Sequence, residues 1–181
     1  MTRLPIVKIG NPVLRKKCGK VGAEMLQDPK LRKFLEGMVV TMRQAEGVGL
    51  AANQVGQGIQ AIVLESRENA RYPKAPSFPL EIYLNPKILK YSHTKEEDWE
   101  GCLSIPGYRG RVPRAREVTF EALTPEGKTV RATASGFHAR VIQHEVDHIN
   151  GFFYMDRMPD LKSWMHLEEF NHLLKREVRE R

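Results

Sequence analysis

Two histidines and a glutamate in the C-terminal half of the chain have the spacing of a metal-dependent hydrolase. His144 and His148 are four residues apart, and Glu145 follows the first histidine in the sequence HEVDH. Residues four apart share one face of a helix, so both imidazoles can reach one metal ion. Glu145 lies about 100° further round the helix, where it can reach a metal-bound water without being a ligand. The pattern predicts Glu145 as a general base.

The motif requires a helix, and the surrounding sequence predicts one over residues 137–150. Apolar residues recur there at near-helical spacing: Phe137, Val141, Ile142, Val146 and Ile149. Ser135 can cap the start of this helix, and Gly151 can end it.

A catalytic site of this kind needs a third protein ligand, with a fourth position left for water. The metzincin pattern would require a histidine where this chain has Tyr154. Glu168 or Glu169 has the spacing of the glutamate ligand in thermolysin-like peptidases, and spacing alone does not exclude either. Cys102, in EGCLS, follows a probable strand in what we interpret as an exposed turn, where a thiolate can bind a metal. The other cysteine, Cys18, fits a small buried hydrophobic residue.

A third segment, GVGLAANQ (47–54), joins small residues to one amide side chain. Its glycines permit close approach of a ligand or another backbone, although a tight turn after a helix would need them equally. Gln54 can donate a hydrogen bond to an oxyanion, which is the second role that an amide hydrolase must fill.

The length and composition predict one globular domain, and the order of the predicted elements, strands followed by helices in one core, predicts the α+β class. The chain has 181 residues and a formal net charge of +7, which weakly favours polyanionic partners. No apolar run is long enough for a signal sequence or a membrane span, so we expect a cytoplasmic protein without membrane partners.

The remaining elements follow from periodicity and turn residues. An N-terminal helix is predicted from Asp28 to about Glu46, because Asp28-Pro29 forms a helix start and apolar residues follow at helical spacing. The other predictions are strands over 60–65 and 80–84, a loop between them with Pro73, Pro76 and Pro79, a hairpin over 118–134 and a C-terminal helix over about 160–178.

Three segments, in this order, resemble the motifs of the peptide deformylases, which remove the N-formyl group from new polypeptides: GVGLAANQ, EGCLS and QHEVDH. The resemblance spans roughly residues 5–160. It implies one catalytic domain over 1–181, in which antiparallel β-sheets pack around a central metal-binding helix, with an N-terminal and a C-terminal helix. It also implies a metal site formed by Cys102, His144 and His148, with Fe(II) as the usual ion and Zn, Ni or Co as possible occupants.

The same resemblance implies roles for the residues around the metal. Glu145 would take a proton from the metal-bound water and deliver it to the leaving amine. The metal, the Gln54 amide and the backbone N–H of Leu103 would hold the oxyanion.

For the substrate, an N-formyl-methionyl nascent peptide, the resemblance implies an apolar pocket and backbone contacts. Val48, Phe137 and Val141 would line a pocket for methionine, although such a stripe can equally belong to the core. Gly49 would offer its backbone to the peptide, and Arg109 would bind or orient it. His138 and Arg140 are polar where many relatives have apolar residues.

Two other functions stay open at this point. A zinc endopeptidase would use His144, His148 and Glu168. A non-enzymatic, basic protein associated with the ribosome would need no catalytic Glu145. The C-terminal helix could dock on ribosomal RNA through its basic end, whereas no DNA partner is expected; that end carries Lys175, Arg176, Arg179 and Arg181.

Overall fold

The structure is a computed structural model and is described over residues 2–67 and 75–179, with side chains to residue 176. The helices of this part are α1 (Ala23–Gln27), α2 (Pro29–Gln44), α3 (Gly136–Ile149) and α4 (Leu167–Arg179). The strands are β1 (Gly49–Ala51), β2 (Ala61–Ser66), β3 (Phe78–Tyr91), β4 (Lys95–Cys102), β5 (Ile105–Ala115), β6 (Glu117–Leu123), β7 (Thr129–Ser135) and β8 (Met165–His166). Short 3-10 helices span Pro12–Arg15, Ala52–Val55 and Tyr154–Arg157.

The strands form two sheets around α3. The larger sheet has the order β1-β2-β3-β6-β7 and the smaller one the order β4-β5-β8, and each pairing is antiparallel. Helix α3 contacts β1, β2 and β3 of the larger sheet and β5 of the smaller one. The expected α+β fold, with antiparallel sheets around a central helix, is confirmed.

Helix α2 begins where the sequence predicts. The Asp28 side chain accepts a hydrogen bond of 2.8 Å from the backbone N–H of Lys30, and Pro29 occupies the first helical position. The helix buries Leu35 and Met38 in the core. It ends at Gln44, two residues before the predicted end.

The β6–β7 hairpin confirms the prediction made from alternating residues. Val118 lies opposite Ala134 and Phe120 opposite Ala132, and these four side chains line the core face or pack against it. Gly127 in the connecting turn has a φ of +79°, which glycine adopts without strain.

The segment before β3 is only partly the loop that was predicted. Strand β3 begins at Phe78 and therefore includes Pro79, because its first residue already pairs with Ser66 of β2. Pro76 lies in the irregular stretch before the strand, and Pro73 lies outside the described residues.

The C-terminal helix begins at Leu167, not near Asp160 as the sequence suggested. The residues before it pair with the smaller sheet, since Met165 lies opposite Arg109 and His166 opposite Tyr108. The helical spacing of apolar residues extends over β8, and β8 is nevertheless a short strand because it pairs with β5. In the described part of the chain, no helix is long and apolar enough to cross a membrane.

Candidate metal centre

One cysteine and two histidines converge at the centre of the molecule. The ligand atoms of Cys102, His144 and His148 all lie within 4.8 Å of one another. The Sγ atom of Cys102 is 3.1 Å from Nε2 of His148. The last residue of β4 and two successive turns of α3 therefore present three donor atoms to one point, as predicted.

Cys102 lies at the tight end of the β4–β5 hairpin, opposite Ile105. The backbone N–H of Ser104 and the side-chain amide of Gln54 each approach its Sγ at 3.3 Å. The interpretation of an exposed turn was wrong, because the cysteine is only 3 % exposed. The 3-10 helix that carries Gln54 and the histidines of α3 pack over the turn. These residues are far from Cys102 in the sequence, so the local pattern around Cys102 does not predict its burial.

The environment of Cys102 favours a thiolate. Burial alone would raise the pKa of this thiol, but the charge of His148 and hydrogen bonds from both histidines hold it well below its usual range. A thiolate is the form that binds a metal ion. Cys18, by contrast, is buried in the apolar core, and burial raises its pKa to about 11, as expected of a structural cysteine.

A buried carboxylate orients the first histidine, and the sequence analysis missed it. Glu100 accepts a hydrogen bond of 2.9 Å from Nδ1 of His144, which leaves Nε2 of that ring for a metal. Arg114 and Arg140 also donate to Glu100. Burial works to raise the pKa of Glu100, yet the charge of Arg114 and the His144 hydrogen bond keep it far below its ordinary value.

Glu145 lies next to the donor atoms without a ligand role. It is 3 % exposed, and burial raises the pKa of its carboxyl from 4.5 to about 7. A carboxylate with a pKa near neutrality is suited to exchange protons at physiological pH. Its Oε2 atom is buried and has no hydrogen-bond partner among the described residues.

The site fits a metal ion on its own chemistry. A thiolate and two imidazoles form a donor set suited to zinc and to other late first-row metals. His148 is fully buried, and its backbone carbonyl accepts a hydrogen bond from Nδ2 of Asn53. Burying three such donors with the unpaired Oε2 of Glu145 would be unfavourable without a cation to interact with them.

Gln54 lies beside the thiolate and lines a cavity that also contains Cys102, His144 and Glu145. Its Oε1 accepts from the backbone N–H of Ala51 at 2.8 Å, so the amide orientation is fixed and Nε2 points to Cys102 and Ser104. The same cavity is lined by Leu103, whose backbone N–H was the other predicted donor to an oxyanion.

Four of the five predicted substrate-binding residues line this cavity: Val48, Gly49, Phe137 and Val141. The fifth, Arg109, is 4 % exposed and packs behind Gly101, where its Nη1 atom would lie 2.8 Å from a Cβ at that glycine. Trp99 and Arg140 also line the cavity, and the sequence analysis did not assign Trp99 a role.

His138 and Arg140, the two polar residues of α3 that differ from many relatives, both form hydrogen bonds to neighbouring strands. Nη1 of Arg140 donates to Glu100 and to the carbonyl of Val112, each at 2.8 Å. His138 donates to or accepts from Glu81 at 2.8 Å and stacks on Phe78. Their polar atoms therefore hold α3 to neighbouring strands.

Comparisons with known proteins place this geometry in a family. The polypeptide deformylase family model matches residues 3–164. The chain is 43% identical to peptide deformylase 1 of Bordetella pertussis over 163 residues, covering 90% of this chain and 92% of that one. It is 38% identical to peptide deformylase 2 of Nostoc sp., covering 94% of each.

Solved structures agree. A class I type b peptide deformylase from Acinetobacter baumannii, bound to Met-Ala-Ser, has a TM-score of 0.84 at 39% identity and covers 87% of this chain and 99% of its own. The peptide deformylase of Thermotoga maritima has a TM-score of 0.77 at 32% identity, and the match covers 88% of this chain and 100% of that one. The chain therefore belongs to the polypeptide deformylase family, metal-dependent enzymes that remove the N-formyl group from newly made polypeptides.

Proposed function

We propose that this chain removes the N-formyl group from N-terminal formylmethionine, releasing formate, with its metal held by Cys102, His144 and His148. The observation that carries the proposal is the convergence of these donors beside the buried carboxylate of Glu145. Residues 1–181 would act as one catalytic domain, because α3 supplies both histidines while contacting both sheets.

The bound ion would act as a Lewis acid that polarises the formyl C=O bond and lowers the pKa of a water molecule. Glu145 would accept a proton from the attacking water and return it to the nitrogen of the leaving amine. In the metal-free chain burial raises the pKa of Glu145 to about 7, and a bound cation would favour the carboxylate form that accepts the proton. The developing negative charge on the formyl oxygen would be stabilised by Nε2 of Gln54 and the backbone N–H of Leu103.

The same cavity supports recognition of methionine. Val48 and Val141 are buried apolar residues, and Phe137 extends the apolar wall toward the opening. Gly49 would offer backbone hydrogen bonds to the peptide. Arg109 would orient that peptide indirectly, by supporting the backbone at Gly101.

We propose Fe(II) as the native ion, with Zn, Ni or Co able to replace it, because one thiolate and two imidazoles suit all of them. The enzyme would act in the cytoplasm, where formylated chains leave the ribosome. A transient contact with ribosomal RNA through α4 is favoured by the exposed Lys175 and Arg176. Arg179 and Arg181 would add to this basic end, and neither side chain is described.

The ribosome contact is tested by truncation before Lys175. Co-sedimentation with ribosomes should weaken, and the loss should be largest at low salt, because contacts to phosphate release counterions. Unchanged co-sedimentation at several salt concentrations would remove this part of the proposal.

The endopeptidase alternative would require a glutamate from α4 at the metal. The Glu168 side chain is 81 % exposed and lies 3.7 Å from Nδ1 of His166. Among the described residues, the cluster that could hold an ion includes no carboxylate from α4.

The proposed function is tested by incubating anaerobically purified protein with formyl-Met-Ala-Ser. Stoichiometric appearance of formate and of a free N-terminal amine is the expected result. Cleavage of an internal peptide bond without formate release would contradict the proposal and favour a peptidase.

A further inference from the structure

The C-terminal helix reaches the wall of the catalytic cavity through one aromatic pair. Phe170 of α4 and Trp99 of β4 have ring centroids 4.9 Å apart and an interplanar angle of 63°, an edge-to-face contact. The guanidinium of Arg111 lies 5.4 Å from the centroid of the Trp99 ring. Trp99 is thus held by neighbours from α4 and β5.

Trp99 is also part of the cavity that contains Cys102 and Glu145. It lies three residues before Cys102 on β4, and the register of β4 against β5 shifts between Glu100 and Cys102. Trp99 is partly exposed, whereas Val48 and Val141 of the same cavity are buried. The indole is therefore at the rim of the cavity and the valines are at its depth.

A bound peptide must leave the cavity past this rim. The methionine side chain belongs in the depth, next to the valines, because the rest of a nascent chain has to extend into solvent. The Cα atom of the residue after methionine lies one Cα spacing, about 3.8 Å, beyond the methionine Cα, and its side chain reaches several ångströms further. That side chain is the first after methionine that can reach a group at the rim, and the Trp99 indole is an apolar group there.

Resting on the proposed function, we infer that Trp99 is a specificity-determining residue that favours a large apolar side chain directly after the formylmethionine. Phe170 is a positioning residue that holds the indole in place. The C-terminal helix therefore contributes to substrate choice, although it carries no metal ligand and no group that touches the reacting atoms.

The test compares kcat/KM for formyl-Met-Phe-Ser and formyl-Met-Ala-Ser. Trp99→Ala should reduce the preference for the phenylalanine peptide about fivefold, the worth of one aromatic contact. Trp99→Phe should restore most of that preference, and Trp99→Leu replaces the alanine variant if the latter does not fold. Tyr108→Ala is the matched control, because Tyr108 of β5 also forms an aromatic contact with the C-terminal part of the chain, stacking on Trp164, but does not line the cavity.

Phe170→Ala should shift the same ratio in the same direction, by a smaller factor, with little change in kcat for the alanine peptide. The emission of Trp99 provides a direct readout in a Trp164→Phe background, which leaves one of the two tryptophans. Phe170→Ala should move that emission to longer wavelength, because the indole loses its aromatic neighbour.

The inference would be overturned if Trp99→Ala left the ratio of the two peptides unchanged, or if it altered only the choice between methionine and norleucine at the first position. The positioning role of Phe170 would be overturned if Phe170→Ala changed neither the kcat/KM ratio of the two peptides nor the Trp99 emission. Absence of formate from both peptides with the unaltered protein would instead contradict the proposed function.

Discussion

Gly49 and Glu145 are so close that no side chain fits between them: a Cβ built on Gly49 would lie 2.3 Å from Oε1 and 2.9 Å from Cγ of Glu145. Strand β1 therefore passes directly over the carboxylate that we assign as the general base. This close approach explains chemically why the segment after α2 contains a glycine at this position.

Gly49→Ala should displace the Glu145 carboxylate and lower kcat on the order of 100-fold, the typical contribution of a positioned general base. Metal content should stay unchanged, because neither residue is a ligand. Gly58→Ala is the control, since a Cβ there meets nothing within 4 Å. Equal activity of the two variants would show that the position of Glu145 is not critical.

Glu145→Gln should stabilise the metal-free protein at alkaline pH. The pKa of Glu145 is raised by burial from 4.5 to about 7, so the folded state holds the proton more tightly than the unfolded state. The free energy of unfolding of the protein with the native carboxyl therefore falls as the pH rises from about 4.5 to about 7, by roughly 3 kcal/mol at most. Glutamine has no proton to lose and escapes this cost.

Urea unfolding of both metal-free proteins at pH 5 and pH 8 measures the effect. The variant should be more stable mainly at pH 8, and added metal should reduce the difference, because a nearby cation favours the carboxylate. An equal difference at the two pH values would mean that ionisation of Glu145 is not its cause.

Glu100→Gln should weaken metal binding by about 10- to 100-fold, because the carboxylate orients His144 through Nδ1. It should also lower the free energy of unfolding by about 3 kcal/mol, since Arg140 would lose its buried carboxylate partner and Arg114 would keep only Asp147. Competition with a chelator and urea unfolding measure the two effects separately.

The control for Glu100 is Glu97→Gln on the same strand. Its carboxylate is 44 % exposed and lies 3.5 Å from Arg111, so its removal should change stability by less than about 1 kcal/mol. If both variants held metal equally well, Glu100 would have no role in orienting the ligand.

Gln54→Leu should lower kcat by roughly 100- to 1,000-fold, as loss of an oxyanion donor typically does. The change should fall on kcat more than on KM, because charge on the formyl oxygen develops only in the transition state. A variant with lowered metal content but normal kcat per bound metal would show that Gln54 supports the metal site and does not stabilise the oxyanion.

The elements that the sequence predicted well are those whose periodicity matches local burial. The apolar residues of helix α3 recur at near-helical spacing, although the helix is buried on nearly every side from Ala139 to Ile149, and the β6–β7 hairpin alternates strictly around Gly127. The metal ligands were predictable because two of them share one helix and the third lies in a distinctive turn.

What escaped prediction depends on long-range pairing. A strand was expected before Cys102, but its extent was not: KEEDWEGC has no apolar alternation, and it is a strand throughout because β5 pairs with it from Lys95 to Cys102. The roles of Glu100 and Trp99 appear only when α3 and α4 pack on that strand. The start of α4 was misplaced because β8 forms against β5, a contact that no local pattern encodes.

The most direct test of the central claim is formate release from formyl-Met-Ala-Ser by the unaltered protein and by Glu145→Gln, with metal content determined on the same anaerobic samples. The proposed mechanism predicts one metal ion in each protein, formate from the first, and a rate at least 100-fold lower from the second. Formate release by Glu145→Gln at the full rate, with metal bound, would contradict the assignment of Glu145 as the general base.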